Sequence, residues 1–224
     1  MVPVRPRFSP RTSSRSIYGK YGCRLSRRSP LSFTKTVMPN TLALWHAEHV
    51  NFSRLLTLLD IQLALFHGGK RPDYELMLNI MFYMTHYSDV LHHPKEDLVF
   101  AKIRERDQTV AGTVDELAAQ HELLQKNGKD LVRHLEEIVN DTISSRETVE
   151  AVARAYVDTL RKHMRVEESE ILPLAHSLLT FQDWKAIHAA VEHIEDPLFG
   201  KHPESRYVAL HRQIARQAQP SGDD

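Results

Sequence analysis

The sequence predicts an all-α protein, an up-down-up-down four-helix bundle with a short fifth helix near the C-terminus. Apolar residues recur at intervals of three and four through four long segments, which is the period of an amphipathic helix. Short connections that contain Gly or Ser join the segments, and such connections are typical of antiparallel neighbours. No segment shows the alternation of a half-buried strand. With 224 residues and 42% hydrophobic content, the chain can bury one substantial core.

The first helix is predicted from Asn40 to Phe66, and the pair Gly68-Gly69 ends it. Its inward positions are Leu42, Trp45, Phe52, Leu56, Leu59, Leu63 and Phe66. His49 fills the one vacant position of this apolar face, between Trp45 and Phe52. We expect these two aromatic side chains to shield His49 from water.

The second helix is predicted to begin near Pro72-Asp73 and to continue beyond a break at Pro94. Its inward positions are Leu76, Ile80, Tyr83, Tyr87, Leu91, Val99 and Ile103. The two tyrosines on this face are expected to be packing residues. His92 and Glu96 lie on the same helix, four positions apart.

The remaining helices follow the same period. The third has His121 and Gly128 in two gaps of a face formed by Leu117, Leu124, Leu131, Leu135 and Ile138. The fourth has His163 and Glu167 in a face formed by Val149, Val152, Tyr156, Leu160 and Ile171, and Pro173 is predicted to end it. A fifth helix, from about Phe181 to Ile194, is expected to pack across one end of the bundle.

Charge is balanced overall but divided unevenly along the chain. Residues 1–37 hold nine Lys and Arg and no acidic residue, which leaves 20 basic and 29 acidic residues in the remainder. We expect a disordered basic leader at 1–37, a four-helix bundle at 38–200 and a C-terminal tail at 201–224. The Arg- and Ser-rich leader resembles a mitochondrial transit segment. Its prolines oppose a targeting helix, however, and this favours a translation start at Met38.

Composition also limits the partners. The acidic body argues against nucleic acid or an anionic membrane. Cys23 is the only cysteine, so neither a disulfide framework nor a thiolate metal site is predicted. No stretch reaches about 18 consecutive apolar residues, the length of a membrane span. We therefore expect a cytoplasmic protein, or a mitochondrial one if residues 1–37 are a genuine leader.

Ionisable residues on the inward faces of four helices indicate a metal site. A charged group that faces an apolar core is costly unless it has a partner there. The residues concerned are His49, His92, Glu96, His121, His163 and Glu167. Because positions i and i+4 of a helix share one face, each His–Glu pair can reach one ion or two adjacent ions. Carboxylate and imidazole ligands suit iron or manganese and also accept zinc.

Spacing alone is weak evidence for these ligands. Four histidines are followed by an acid four positions later, whereas chance gives about two such matches. One of the four, His188 with Glu192, lies beside the apolar stripe of the fifth helix, so we expect it at the surface. Glu168 and Glu170 are likewise expected on solvated faces.

Together these residues resemble the hemerythrin-like cation-binding (HHE) domain. The resemblance covers about residues 41–175 and rests on Glu48-His49, His92-His93-Pro94-Lys95-Glu96-Asp97, Gln120-His121-Glu122 and the run from His163 through Glu167-Glu168 to Pro173. It implies a four-helix bundle that holds a non-haem di-iron centre. It further implies that Glu96 and Glu167 bridge the metals and that His49, His92, His121 and His163 are terminal ligands.

One position departs from the classical hemerythrin pattern, which has a second histidine one turn after the third-helix ligand. That position is Gln125 here. His93 is the first candidate to supply the missing imidazole, because Pro94 disfavours α geometry at the preceding residue and could turn its side chain inward. His86 and His46 are further candidates. A vacant coordination position, filled by water or a diatomic ligand, is the alternative.

The resemblance implies two iron ions per chain with an oxo or hydroxo bridge, while manganese or zinc stays open. We expect a protein that binds or senses O2 or nitric oxide, or that handles iron, because a histidine-rich site favours binding over O2 activation. The alternative is a di-iron enzyme of the oxidase, peroxidase or nitric oxide reductase type. The sequence does not identify a redox or iron-exchange partner.

Overall fold

The computed structural model describes residues 38–140, 142, 145–190 and 194–217. Over these ranges every regular element is a helix and no strand occurs, so the predicted all-α class is confirmed. The predicted leader at residues 1–37 lies outside the described residues, as does Glu192. No described helix is both long enough and apolar enough to cross a lipid bilayer.

Helix α1 spans Met38–His67, in agreement with the first predicted helix. Two residues beyond its end, Gly69 takes a positive φ of 77°, a conformation that glycine adopts without a steric cost. His49 is buried on this helix, as are its neighbours Trp45 and Phe52. Helix α1 therefore packs into the core through the face that was predicted to point inward.

The second predicted helix is one continuous helical run with a wide segment in its middle. Helix α2 spans Tyr74–Tyr83, a π-helical segment spans Met84–His92, and helix α3 spans His93–Arg106. Asp73 caps the start of the run, because its carboxylate accepts a hydrogen bond of 2.9 Å from the backbone N–H of Leu76.

Pro94 does not break this run, and the prediction of a break is wrong. Proline lacks an N–H, and in an α-helix its ring collides with the carbonyl four residues earlier. The π-helical segment before it widens the turn, and the backbone N–H of His93 bonds to the carbonyl of Ser88, five residues back. His93 keeps α-helical dihedrals (φ −56°, ψ −40°), so the expected departure from α geometry at this residue is also wrong.

The third and fourth predicted helices are α4, Ala111–Val139, and α5, Arg146–Val166. A single 3-10 turn, Gln108–Val110, connects the second run to α4. Ser145 caps α5, since its side chain accepts a hydrogen bond from the backbone N–H of Thr148.

The fourth helical run continues beyond α5. A second π-helical segment, Glu167–Ile171, leads directly into helix α6, Leu172–Leu178. The prediction that Pro173 ends this run is therefore wrong, for the same reason as at Pro94. The wide turn before the proline moves the carbonyl that its ring would otherwise strike.

Two further helices complete the described chain. Helix α7, Phe181–Ala190, corresponds to the predicted fifth helix and buries Trp184. Helix α8, Val208–Gln217, lies in the segment predicted as a C-terminal tail. Its Leu210 is buried in the main apolar core, so residues beyond 200 contribute to the packing, a contribution that the sequence reasoning missed.

The helices pack around a layer of buried polar side chains. This polar layer contains His49, His92, Glu96, His121, His163 and Glu167. Neighbouring pairs are α1 with α2, α2 with α4, α4 with α5, and α5 with α1. Two apolar clusters lie on either side of the layer; the first includes Phe52, Tyr87, Leu124 and Leu160, and the second includes Trp45, Val99, Leu117 and Ile171. Each helical run therefore crosses from one cluster to the other, and burial on both sides fixes the polar layer in place.

Candidate metal centre

All six inward-facing residues that the sequence predicts as metal ligands lie in the polar layer. They are His49 from α1, His92 and Glu96 from the second run, His121 from α4, and His163 and Glu167 from the fourth run. None of them is more than 7% exposed. Both His–Glu pairs lie beside the π-helical segments, and such segments occur often at functional sites.

The first group of close ligand atoms consists of His49, His92 and Glu96. Nε2 of His49 lies 3.1 Å from Nε2 of His92 and 3.3 Å from Oε1 of Glu96. Nε2 of His92 lies 2.8 Å from the same carboxylate oxygen. One ion can therefore contact all three side chains.

The second group consists of His93, Glu96, His121 and His163, with one ligand atom of each within 4.8 Å of the others. Nε2 of His121 lies 3.0 Å from Nε2 of His163 and 3.5 Å from Oε2 of Glu96. This group therefore repeats the central feature of the first, a pair of imidazole nitrogens that face each other beside a carboxylate.

Glu96 and Glu167 each face both groups. Glu96 presents Oε1 to the first group and Oε2 to the second. Glu167 presents Oε2 to His49 at 3.4 Å and Oε1 to His163 at 3.2 Å. Two carboxylates in this arrangement can bridge a pair of ions, as in other helix bundles with carboxylate metal sites.

The outer nitrogen of each of the four facing histidines has its own acceptor. Nδ1–H donates to the carboxylate in three cases and to an amide oxygen in the fourth: His49 to Glu168 (2.7 Å), His92 to Glu48 (2.7 Å), His121 to Asp97 (2.8 Å) and His163 to Gln120 (3.2 Å). Because an ionised carboxylate can only accept, Nδ1 carries a proton, and Nε2 is the atom left to bind a metal ion or a second proton. These four acceptors were not among the predicted site residues.

The prediction for Glu168 is wrong. This residue was expected on a solvated face, but its side chain is only 32% exposed and contacts His49. The signal that could have found all four acceptors is their position, since each stands next to a nominated ligand in the sequence.

The polar atoms of the layer fit a cation. Two Nε2 lone pairs that face each other at 3.0–3.1 Å repel unless a positive charge lies between them. Oε2 of Glu96 and both carboxylate oxygens of Glu167 are buried without a hydrogen-bond partner, which is costly for a charged group. A metal ion satisfies both needs, because imidazole nitrogens bind such ions at about 2.0–2.1 Å.

Electrostatics favour positive charge at the same place. Burial alone would lower the pKa of an imidazole. In His49, His92 and His121 the neighbouring carboxylates, with Glu96 common to all three, outweigh burial and raise the pKa to about 9, 10 and 9. The field of the carboxylates therefore favours cations at the centre of the layer.

His93 is the candidate for the additional imidazole that lies in the layer. It is 3% exposed, and its ring stacks on that of His121 with centroids 4.3 Å apart. Its Nδ1 lies 3.3 Å from Oδ1 of Asp89 and its Nε2 3.1 Å from Oγ of Ser88. Burial and the neighbouring His121 hold the pKa of His93 well below its usual range, which keeps the ring neutral.

The other candidates lie outside the layer. His86 is exposed and stacks on Phe82 with centroids 3.6 Å apart. His46 is exposed and hydrogen-bonds to Oε2 of Glu168 at 3.0 Å. Gln125 is exposed as well, so the departure from the classical pattern places an amide at the surface of α4.

Aromatic residues pack against the polar layer on its apolar sides. Trp45 and Phe52 are buried, and their ring centroids lie 6.4 and 4.8 Å from that of His92. Tyr87 does more than pack, because its hydroxyl donates a hydrogen bond of 2.8 Å to Glu48.

Comparison with known protein families agrees with this geometry. The family profile described as Hemerythrin HHE cation binding domain matches residues 40–175, a range that contains every residue of the polar layer. Neither a curated protein nor a solved structure gives a significant match to the chain.

Proposed function

The chain belongs to the hemerythrin HHE cation-binding family, and on that premise we propose that it holds a non-haem di-iron centre that binds or senses O2 or nitric oxide, or holds iron for transfer. One observation carries the proposal. Two pairs of imidazole nitrogens face each other at 3.1 and 3.0 Å, and two carboxylates divide their oxygens between the pairs. One ion for each pair gives two ions per chain.

In this proposal each ion has its own histidines and shares both carboxylates. His49 and His92 would hold the first ion, and His121 and His163, with His93, would hold the second. Glu96 and Glu167 would supply carboxylate oxygens to both ions. When bound, the two irons supply one-electron redox chemistry and open positions for a diatomic ligand.

Iron is the proposed metal because of the donor set. Mixed imidazole and carboxylate donors without thiolate suit iron and also accept manganese or zinc. Histidines outnumber the carboxylates that face the centre, which favours reversible binding over O2 activation. The apolar residues on both sides of the layer keep bulk water from the ions, as a site for small gases needs.

An up-down-up-down topology is part of the proposal. The first run passes from the cluster of Trp45 to that of Phe52, and the second passes back from Tyr87 to Val99. The third and fourth runs repeat this alternation. Ligands from four antiparallel runs then meet at one depth.

The test is metal content followed by gas reactivity. Full-length protein from iron-replete cells should contain about two iron atoms per chain by elemental analysis. After reduction, O2 or nitric oxide should produce a new absorption spectrum that vacuum reverses. A stoichiometry near one, or zinc alone, would overturn the di-iron proposal.

The same experiment separates binding from catalysis. If the reduced protein consumes O2 continuously and releases peroxide in the presence of a reductant, the chain is an enzyme of the oxidase type. A stable adduct without turnover supports a binding or sensing protein.

A further inference from the structure

The four acceptors around the polar layer form a closed circuit. Glu48 of α1 holds His92 on the second run, and Asp97 of the second run holds His121 on α4. Gln120 of α4 then holds His163 on the fourth run. Each acceptor is thus adjacent in sequence to one ligand and bonds to a ligand on the neighbouring helix.

Glu168 closes the circuit, because it follows Glu167 on the fourth run and holds His49 on α1. Every neighbouring pair of helical runs is joined once in this way. A hydrogen bond at Nδ1 fixes the ring orientation and the tautomer of a ligand histidine, and a carboxylate acceptor also makes the imidazole a stronger donor to metal.

Gln120 is the one neutral member of the circuit. Its Oε1 lies 3.2 Å from Nδ1 of His163, whereas the three carboxylates lie 2.7–2.8 Å from their histidines. Its amide is oriented by Glu116, whose carboxylate accepts a hydrogen bond of 3.0 Å from Nε2 of Gln120. The carbonyl oxygen therefore faces His163.

The neutral member makes the four facing histidines unequal. His49, His92 and His121 have carboxylate acceptors, whereas His163 has an amide. We infer that Glu48, Asp97 and Glu168 are positioning residues that strengthen metal binding, and that Gln120 makes His163 the weakest metal donor of the four facing histidines. This inference rests on the proposed two-ion centre.

The circuit suits mutagenesis because its members reach the surface. The side chains of Asp97 and Glu168 are 49% and 32% exposed, so isosteric amides there should not disturb the apolar core. Glu122 provides a matched control, since it is adjacent to His121, is exposed and is not part of the circuit. The variants are Asp97→Asn, Glu168→Gln and Gln120→Glu, with Glu122→Gln as the control.

The experiment titrates Co²⁺ into each metal-free, full-length protein and follows the visible absorption bands in competition with a chelator. Glu168→Gln and Asp97→Asn should each weaken a different one of the two binding steps by about 10- to 100-fold, because they hold histidines of different groups. Both should also shift the Co²⁺ bands, because a reoriented imidazole changes the ligand field.

Gln120→Glu should act in the opposite direction. It should tighten, on the order of tenfold, the binding step that Asp97→Asn weakens, because His163 and His121 belong to the same group. Repulsion from Glu116 is limited, because Lys162 lies 3.0 Å from that carboxylate. Glu122→Gln should change neither the affinities nor the bands.

The outcomes separate this inference from the proposed function. If the wild-type chain binds fewer than two Co²⁺ ions, the two-ion proposal fails. If it binds two, but the circuit variants match Glu122→Gln, the inference fails while the proposal stands. Weaker binding by Gln120→Glu would also overturn the assignment of Gln120.

Discussion

Replacing Gly128 with alanine should destabilise the protein, because α4 approaches the second helical run closely at this residue. A Cβ atom there would lie 2.9 Å from Cγ2 of Thr85 and 3.3 Å from the ring of Tyr156. Thr85 cannot easily turn away, since its hydroxyl donates a hydrogen bond of 2.9 Å to the carbonyl of Met81. Overpacking of this kind costs about 1–3 kcal/mol.

Helix propensity opposes this cost. Alanine is favoured over glycine in a helix interior by about 1 kcal/mol. The net loss is therefore about 1 kcal/mol, which for a domain of this size lowers the Tm by roughly 2–4 °C.

Gly112 on the same helix is the matched control, because a Cβ atom there meets no atom within 4 Å. Gly112→Ala should leave the Tm unchanged or raise it. The measurement is thermal unfolding of both metal-free variants, followed by far-ultraviolet circular dichroism. A Gly128→Ala protein as stable as Gly112→Ala would refute the claim that contact between helices requires glycine at this position.

Three further predictions concern the site and the leader. Glu96→Ala or Glu167→Ala should reduce the occupancy of both ions together, as measured by elemental analysis. His188→Ala is the control and should retain full metal, because His188 is exposed. Loss of only one ion from either glutamate variant would contradict a bridging role. His93→Ala should weaken one of the two Co²⁺ binding steps, and unchanged affinities would show that His93 is a neighbour of the ions and not a ligand. Deletion of residues 1–37 should leave the Tm and metal content unchanged, because that segment has no apolar pattern with which to join a core; a large fall in either quantity would show that it packs on the bundle.

The sequence alone predicted the four long helical runs, helix α7 and the six candidate ligands of the polar layer. An amphipathic helix repeats its inward positions every three or four residues, so a histidine such as His49 or His121 that fills a gap in that pattern has to be buried. The period also placed Glu96 with His92 and Glu167 with His163, because residues four apart share a face. These are properties of single helices, which local sequence controls.

The predictions at Pro94 and Pro173 were wrong because they assumed α-helical turns throughout each run. The wide π-helical turns before Pro94 and Pro173 let both runs continue, and packing on either side of the layer stabilises them. Helix α8 was missed for a related reason, since its short apolar face gains its stability from contact with the main core.

The sequence by itself determined which residues face the core and which chemistry they can offer, because the helical period and the side-chain types are local. Only the tertiary structure decided which side chains meet. Glu168 holds His49 across 119 residues of chain, so a glutamate that was predicted on a solvated face is part of the site. Such pairings depend on the rotation and axial offset of one helix against another, which the period of a single helix does not fix.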